Sequence, residues 1–387
     1  MRFHVLGLPH TVTSEEYVAC AFTQKVLKFI RMWRRYRPED HIIHYGHVDS
    51  KTDAQEHVAV MDNDVLQRTY GGYDWRKEQF KHSANDLAAE TFALRAAAEI
   101  GVRKQPNDFI LAFWGGGCAK AASMHPDLIT VEPGIGSGSA WAKWRCYESE
   151  PLRSAHVGTA GVSYCDPKWY WTVIPNYFDL NDFDETQPRE NWALYIGRLG
   201  VNKGLNIAID ACARAGIQLV VAGQGEADFL KSQNLTAWPA HVDFIGYADL
   251  ETRKKLMARA KFGFLLSTYW EPFGGTMVEM QLSGCVPIVS DAGAMTEIIM
   301  DEVNGFRCSN MGDILRAIRN VDKINRERMV AFARSNFSLE AVAPRFERYF
   351  LDVLSVYEKK GWYEDHNREL GRGWQKGLNY APLYVAG

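Results

Sequence analysis

The chain has 387 residues, 47% of them hydrophobic and 24% charged, enough apolar material for two ordinary cores rather than one. Its formal charge of -3 excludes a global attraction to phosphate polymers, so a nucleic-acid or membrane partner needs a local patch. The seven cysteines are widely spaced with no C-x-x-C pair, which excludes a disulfide framework and reads as reduced, buried thiols.

The amino terminus, MRFHVLGLPH, is too poor in apolar residues for a signal peptide, and no apolar stretch reaches membrane-spanning length, so a cytoplasmic protein is expected. Short apolar runs at 3–6, 109–113 and 128–131 alternate with helical patterns such as 85–100, the rhythm of βαβ units and a parallel sheet. Lys25, Lys28, Arg31, Arg34, Arg35 and Arg37, with Phe29, Trp33 and Tyr36 interleaved, form a basic run on or near the first helix; its plainest reading is a solvated helix face. Asp62-Asn63-Asp64 has the form of a metal-binding D-x-D, and His41, His44 and His47 invite a metal. Yet a spacing of three along a strand alternates faces, so no metal site is expected from either.

Glu132 and the glycine turn Gly134 to Gly138 follow the strand LITVE and are expected to face a cleft. They superficially match a dinucleotide fingerprint, which the proline and the mid-chain position argue against. Next come Trp141, Lys143, Trp144, Arg145 and Tyr147. Rings there suit an acceptor sugar, and the interleaved cations suit a nucleic-acid backbone, so Trp141, Trp144 and Arg145 are acceptor-side candidates for either.

A polar, Pro-punctuated segment between Val173 and Asn191 reads as a hinge, after which the strand and helix rhythm restarts: WALYIGRL, a helix over 205–215, IQLVVAG, VDFIGY, a helix to Ala260, FGFLLS and VPIVS. In YIGRLGVNKG, Arg198 and Lys203 stand just beyond the first strand of this half, at the carboxyl edge where open α/β sheets bind ligands. Such cations suit the negative charge that develops on a departing diphosphate. The strongest signal is Glu271-Pro-Phe-Gly-Gly-Thr-Met-Val-Glu279. Gly274, Gly275 and Thr276 offer lightly shielded N–H groups at a helix start, where an anionic diphosphate is favoured. Glu271 before the helix and Glu279 within it can reach hydroxyl-bearing rings on either side of one phosphate site. A nucleotide sugar has that shape. Beyond Ser338 a long helical pattern runs past the last strand.

The segments IPNYFD, YIGRLGVNKG, LVVAGQG, VDFIGY, EPFGGTMVE and SGCVPIVSDAGAMTEII, in that order and spacing, resemble the donor domain of the GT-B glycosyltransferases of family four, the glycosyl transferases group 1. The resemblance is dense over 174–350; the first half is similar only in its rhythm. It implies an α/β GT-B fold: two facing Rossmann-like, doubly wound parallel-sheet domains with a carboxy-terminal helix crossing back to the first. The expected divisions are an acceptor-side domain over 1–175, a donor domain over 176–345 and a returning helix and tail over 346–387. It further implies a retaining, metal-independent hexosyl or pentosyl transferase that uses a UDP- or GDP-sugar as substrate, with no cofactor. By the same resemblance Arg198 and Lys203 contact the diphosphate, Glu271 the sugar hydroxyls and Glu279 the ribose. Gly246 and Tyr247 border the base, the Gly274 to Thr276 amides hold the phosphates, and Phe273 and Gly7 join the donor contacts. Glu132 is a catalytic candidate from the first half. The expected activity is sugar transfer to a hydroxyl acceptor in glycan or glycoconjugate synthesis. The alternatives are glycosylation of a hydroxymethylated base in DNA, with nucleic acid a possible partner, or an inactive scaffold, against which the full polar set argues.

Overall fold

The computed structural model describes all residues except Val18, Ser137, Ser139, 162–169, 362–376 and 385–387. Cys165 lies outside the described residues; the other six cysteines are buried, and burial pushes the thiols of Cys118, Cys212, Cys285 and Cys308 up to about 12.

Among the described residues thirteen strands form two all-parallel sheets, one in each of two compact units. Unit 1 holds β1 (Arg2–Leu6), β2 (His41–His47), β3 (Glu56–Met61), β4 (Phe109–Ala112), β5 (Ile129–Ile135), β6 (Trp144–Tyr147) and β7 (Trp171–Val173), in the order β3-β2-β1-β4-β5-β6-β7. The register sets Phe3 between Ile42 and Phe109. Unit 2 holds β8 (Glu190–Ile196), β9 (Gln218–Ala222), β10 (Val242–Gly246), β11 (Ala260–Leu265), β12 (Val286–Ser290) and β13 (Phe306–Cys308), in the order β10-β9-β8-β11-β12-β13. Central strands such as FILA and AKFGFL read as continuous apolar runs because helices cover both faces of a parallel sheet. In each sheet the chain winds first to one side and then to the other, so the winding switches between β1 and β4 in unit 1 and between β8 and β11 in unit 2. Ligands of open α/β sheets bind outside the carboxyl ends of the strands at such a point.

Unit 1 spans Met1–Tyr73 and Phe80–Asn176 and takes back the chain at Leu339. The helix Leu339–Tyr357 buries Phe346 and Phe350 against Phe29 and Phe3, at centroid distances of 5.7 and 5.2 Å respectively. The returning segment thus begins earlier than an expected start at 346. From Gly377 the chain belongs to unit 2 again, which corrects the assignment of the whole tail to the first domain. Two reciprocal bonds explain this: Asn336 donates to the Asn379 carbonyl at 2.9 Å and accepts from its N–H at 2.5 Å, while Tyr380 stacks on Phe332 and Leu383 is buried.

The basic run is not a solvated face. On the helix Ala21–Tyr36, Phe29 and Trp33 are core residues, and Lys25 is buried with its ammonium 2.9 Å from Glu148 and 3.0 Å from the Gly134 carbonyl. Arg31 pairs with Glu15, Arg37 with Glu347, and Lys28 donates to Asn176. Partners distant in sequence absorb the charge.

The histidines have internal roles. His44 stacks on His57 with their Nδ1 atoms 3.0 Å apart, and its Nε2 faces Thr13. Asp62 caps the helix Asn63–Tyr70 by accepting from Val65 N–H, and pairs with Arg95. Burial, helped by a neighbouring imidazole in each case, holds His10 and His44 down at about 3. Each is neutral when folded but takes up a proton below about 6.5 when unfolded, so its contribution is intact above that pH and is lost on acidification towards 3. We expect thermal stability to fall between pH 6.5 and 4.5, by up to about 1.4 kcal/mol per pH unit for each ring. His10→Asn should flatten a pH series of melting curves; an unchanged slope contradicts this.

Candidate active site

In unit 2 the turn after β8 carries Arg198 and Lys203. Leu199 N–H bonds the Gln224 carbonyl at 2.9 Å, and the Tyr195 hydroxyl donates to the Arg198 carbonyl at 2.8 Å, so the turn is fixed to its neighbours. Gly204 ends it in a left-handed conformation, φ 72°, and a Cβ there would lie 2.0 Å from the Leu266 carbonyl oxygen. Only glycine lets this turn approach the end of β11 so closely. That approach brings Lys203 to Glu271.

The Lys203 ammonium lies 2.6 Å from Glu271 Oε1, which also accepts from the Ser267 hydroxyl at 2.5 Å. Tyr269 completes the group: Lys203 bonds its hydroxyl and sits 4.8 Å from its ring centroid. Burial, then the Glu271 carboxylate, pushes the Tyr269 phenol above its ordinary range, while the Arg198 guanidinium pulls it down. Tyr269 is therefore a neutral hydroxyl at physiological pH. Arg198 itself is exposed, and among the described residues it has no ion pair. The site thus pairs a fixed, neutralised cation with one available for an anion.

The helix Gly275–Leu282 starts directly beyond Glu271. Gly274 takes φ 77° at its N-cap, and no side chain caps it. The first-turn N–H groups of Gly275 and Thr276 have no intrahelical acceptor, and with the helix dipole they favour an anion. Glu279, one turn on, is ion-paired with Arg253 of the helix Leu250–Arg259, which follows β10. Gly246, φ 79°, closes β10, and Tyr247 follows it. Phe273 does not join this set. It is a core residue, with Phe178 6.4 Å and Phe337 5.8 Å from its ring, and it wedges the helix start rather than meeting a donor.

In unit 1, Gly7 follows β1 and donates to the Tyr45 carbonyl at 2.8 Å; a Cβ there would sit 2.8 Å from that same oxygen, a packing requirement. Glu132 is buried within β5. Its Oε2 accepts from the N–H groups of Trp141 and Ala142, both at 2.8 Å, while its buried Oε1 has no hydrogen-bond partner among the described residues. Glu132 borders a small pocket lined also by Phe22, Phe113, Gly134 and Gly136. Burial holds Glu132 above the usual carboxylate range, against the pull of the two amides and Arg145. Half of this carboxylate therefore clamps a loop. Of the acceptor-side candidates, Trp144 is buried in β6 with its ring edge-on to Tyr170, which removes it as a stacking surface. Arg145 bonds the Ala142 carbonyl at 2.6 Å and lies 4.1 Å over Trp171; Trp141 donates to the Gly115 carbonyl. Both side chains, half-buried, hold the fold of this edge.

Sequence reasoning missed Ser267, Tyr269 and Arg253. Ser267 and Tyr269 stand four and two residues before Glu271 in the loop after β11, and that nearness to the strongest motif is the one signal that could have found them. Arg253 has no such signal. Among the described residues no group of three or more His, Cys, Asp or Glu is arranged to hold a metal ion, and no helix is long and apolar enough to cross a membrane.

Two parallel-sheet α/β units, one with a cationic turn and an uncapped helix start at its switch point, define a glycosyltransferase fold of the GT-B class. Residues 179–335 match the family model for glycosyl transferases group 1. An uncharacterized glycosyltransferase of Methanocaldococcus jannaschii is 36% identical over 153 residues, 35% of this chain and 39% of that protein. Glycogen synthase of Mycobacterium tuberculosis is 30% identical over 199 residues, 46% and 48% of the two chains. The chain thus spans less than half the length of these curated relatives. The fold is shared more widely: Anabaena HepE, solved with UDP and glucose, aligns over 90% of this chain and 98% of its own at a TM-score of 0.64 and 17% identity. Sucrose-phosphate synthase of Thermosynechococcus elongatus aligns over 92% and 99% at 0.65 and 14%.

Proposed function

We propose that the protein transfers a sugar, a hexose or pentose, from a nucleotide-diphosphate sugar to a hydroxyl acceptor, with retention of anomeric configuration and no metal. The observation that carries this is the juxtaposition at one switch point of an exposed Arg198, the Lys203–Glu271 pair and the open helix start at Gly275. In the reaction the bond from the anomeric carbon to the diphosphate oxygen breaks and its electron pair leaves on the diphosphate. Arg198, Lys203 and the Gly275 and Thr276 amides stabilise the charge that develops there. The acceptor oxygen bonds to the same face of the anomeric carbon, and its proton passes to the departing phosphate oxygen. Glu271 orients the sugar through its hydroxyls and Glu279 meets the ribose; Glu132 acts as a positioning residue on the acceptor side.

That HepE was solved with UDP and with UDP-glucose supports a UDP-sugar as donor. A glycan or glycoconjugate acceptor is favoured over a base in DNA, because the basic helix that suits a phosphate backbone is already paired with Glu15, Glu148 and Glu347. The test is incubation with UDP-glucose, GDP-mannose and ADP-glucose while free nucleoside diphosphate is followed. Release from one donor above the protein-free rate is expected. Release from none of them contradicts the proposal.

A further inference from the structure

Residues Asp74–Gln79 come from the first half of the chain yet belong to unit 2. They form a single turn stapled by its own Asp74, whose carbonyl accepts from the N–H groups of Lys77 and Glu78, both at 2.9 Å. The glycine turn after β9 holds them: the buried Gln224 donates its amide to the Trp75 carbonyl, and Gly225 N–H bonds the Lys77 carbonyl at 3.2 Å. Trp75 therefore projects at the carboxyl edge of β9 and β10. Its ring meets Tyr247 at a centroid distance of 5.5 Å and 88°, and the Arg76 guanidinium lies 4.3 Å from the Trp75 ring centroid.

The order of the strands says what this corner is next to. The anion-favouring helix start follows β11 and the cationic turn follows β8; β9 and β10 lie outward from β8. From β8 to β10 is two strand spacings, about 10 Å, a span that a ribose bridges between a diphosphate and a base. Glu279 is tied to Arg253 on the helix after β10, which directs the ribose end to that flank and not towards β12 and β13. Two aromatic rings at right angles, with a guanidinium over one Trp75 face, suit a flat, electron-rich heterocycle.

We infer that Trp75 joins Tyr247 in seating the nucleobase of the donor, with the 74–79 turn as the element that supplies it to the site. This rests on the nucleotide-sugar reading above, and the test separates the two. UDP, GDP and ADP are titrated calorimetrically into the wild-type chain, Arg198→Ala, Trp75→Ala and Trp75→Phe, with circular dichroism to verify that each variant is folded. Loss of a base-stacking ring predicts roughly 5- to 150-fold weaker binding for Trp75→Ala and a much smaller loss for Trp75→Phe, which keeps a stacking face. If Arg198→Ala weakens binding and Trp75→Ala does not, the inference fails while the donor site stands. Tighter binding in Trp75→Ala overturns it as well, because the turn would then be plugging the site. Equal losses in folded Ala and Phe variants exclude stacking. If no nucleotide binds the wild type, the nucleotide-sugar reading falls first.

Discussion

Lys203→Met is expected to lower both stability and turnover, by separate mechanisms. The Glu271 carboxylate is buried and has the Lys203 ammonium at 2.6 Å as its counter-charge; removing that partner leaves the charge uncompensated, a loss on the order of 3 kcal/mol. Removing one fixed donor to a leaving diphosphate should cost roughly 100- to 1,000-fold in kcat. The double variant Lys203→Met with Glu271→Gln distinguishes these effects. It restores most of the stability, because no charge is stranded, but none of the turnover. Melting curves and nucleoside diphosphate release on the same samples read both quantities, and a double variant that recovers turnover would contradict the role given to Lys203.

Glu271→Gln alone should disturb the fold less than Lys203→Met while still lowering turnover. Glutamine keeps the shape and an oxygen for the Ser267 hydroxyl but leaves the Lys203 ammonium, the less buried partner, without its counter-charge, so the melting point should fall, by less than in Lys203→Met. What it loses is a charged acceptor for the hydroxyls of the transferred sugar. A hydrogen bond to a charged group contributes about 1.5–3 kcal/mol, so turnover of the nucleotide sugar should fall roughly 10- to 150-fold. The affinity for the bare nucleoside diphosphate, which has no sugar to hold, should stay near its wild-type value. Unchanged turnover would remove Glu271 from the mechanism.

Much of this site was legible because its signals are local. The glycine turns that end β8, β9 and β10, and the Glu271 to Glu279 segment, each combine an apolar strand with a break and a helix start inside a dozen residues. What failed was information held by partners far along the chain. The basic run on the first helix reads as a wet surface until Glu148 and Glu347 are brought against it, the latter more than three hundred residues away from its Tyr36 partner. Trp144 reads as a stacking ring until β6 is seen hydrogen-bonded between β5 and β7. Phe273 sits inside the most informative motif of the chain, and nothing in that motif distinguishes a residue that supports a helix start from one that faces a ligand. The 74–79 turn reaches unit 2 through two hydrogen bonds to Gln224 and Gly225, a contact about 150 residues long that composition and periodicity do not record.

The central claim is that unit 2 binds a nucleoside diphosphate through Arg198. Calorimetric titration of UDP into the wild-type chain and Arg198→Ala tests it most directly. The account predicts saturable one-to-one binding that weakens roughly 10- to 150-fold in the variant, the loss of a charge-assisted contact. Equal affinity in the two proteins would contradict the assignment of Arg198, and no binding of UDP, GDP or ADP to the wild type would contradict the donor site itself.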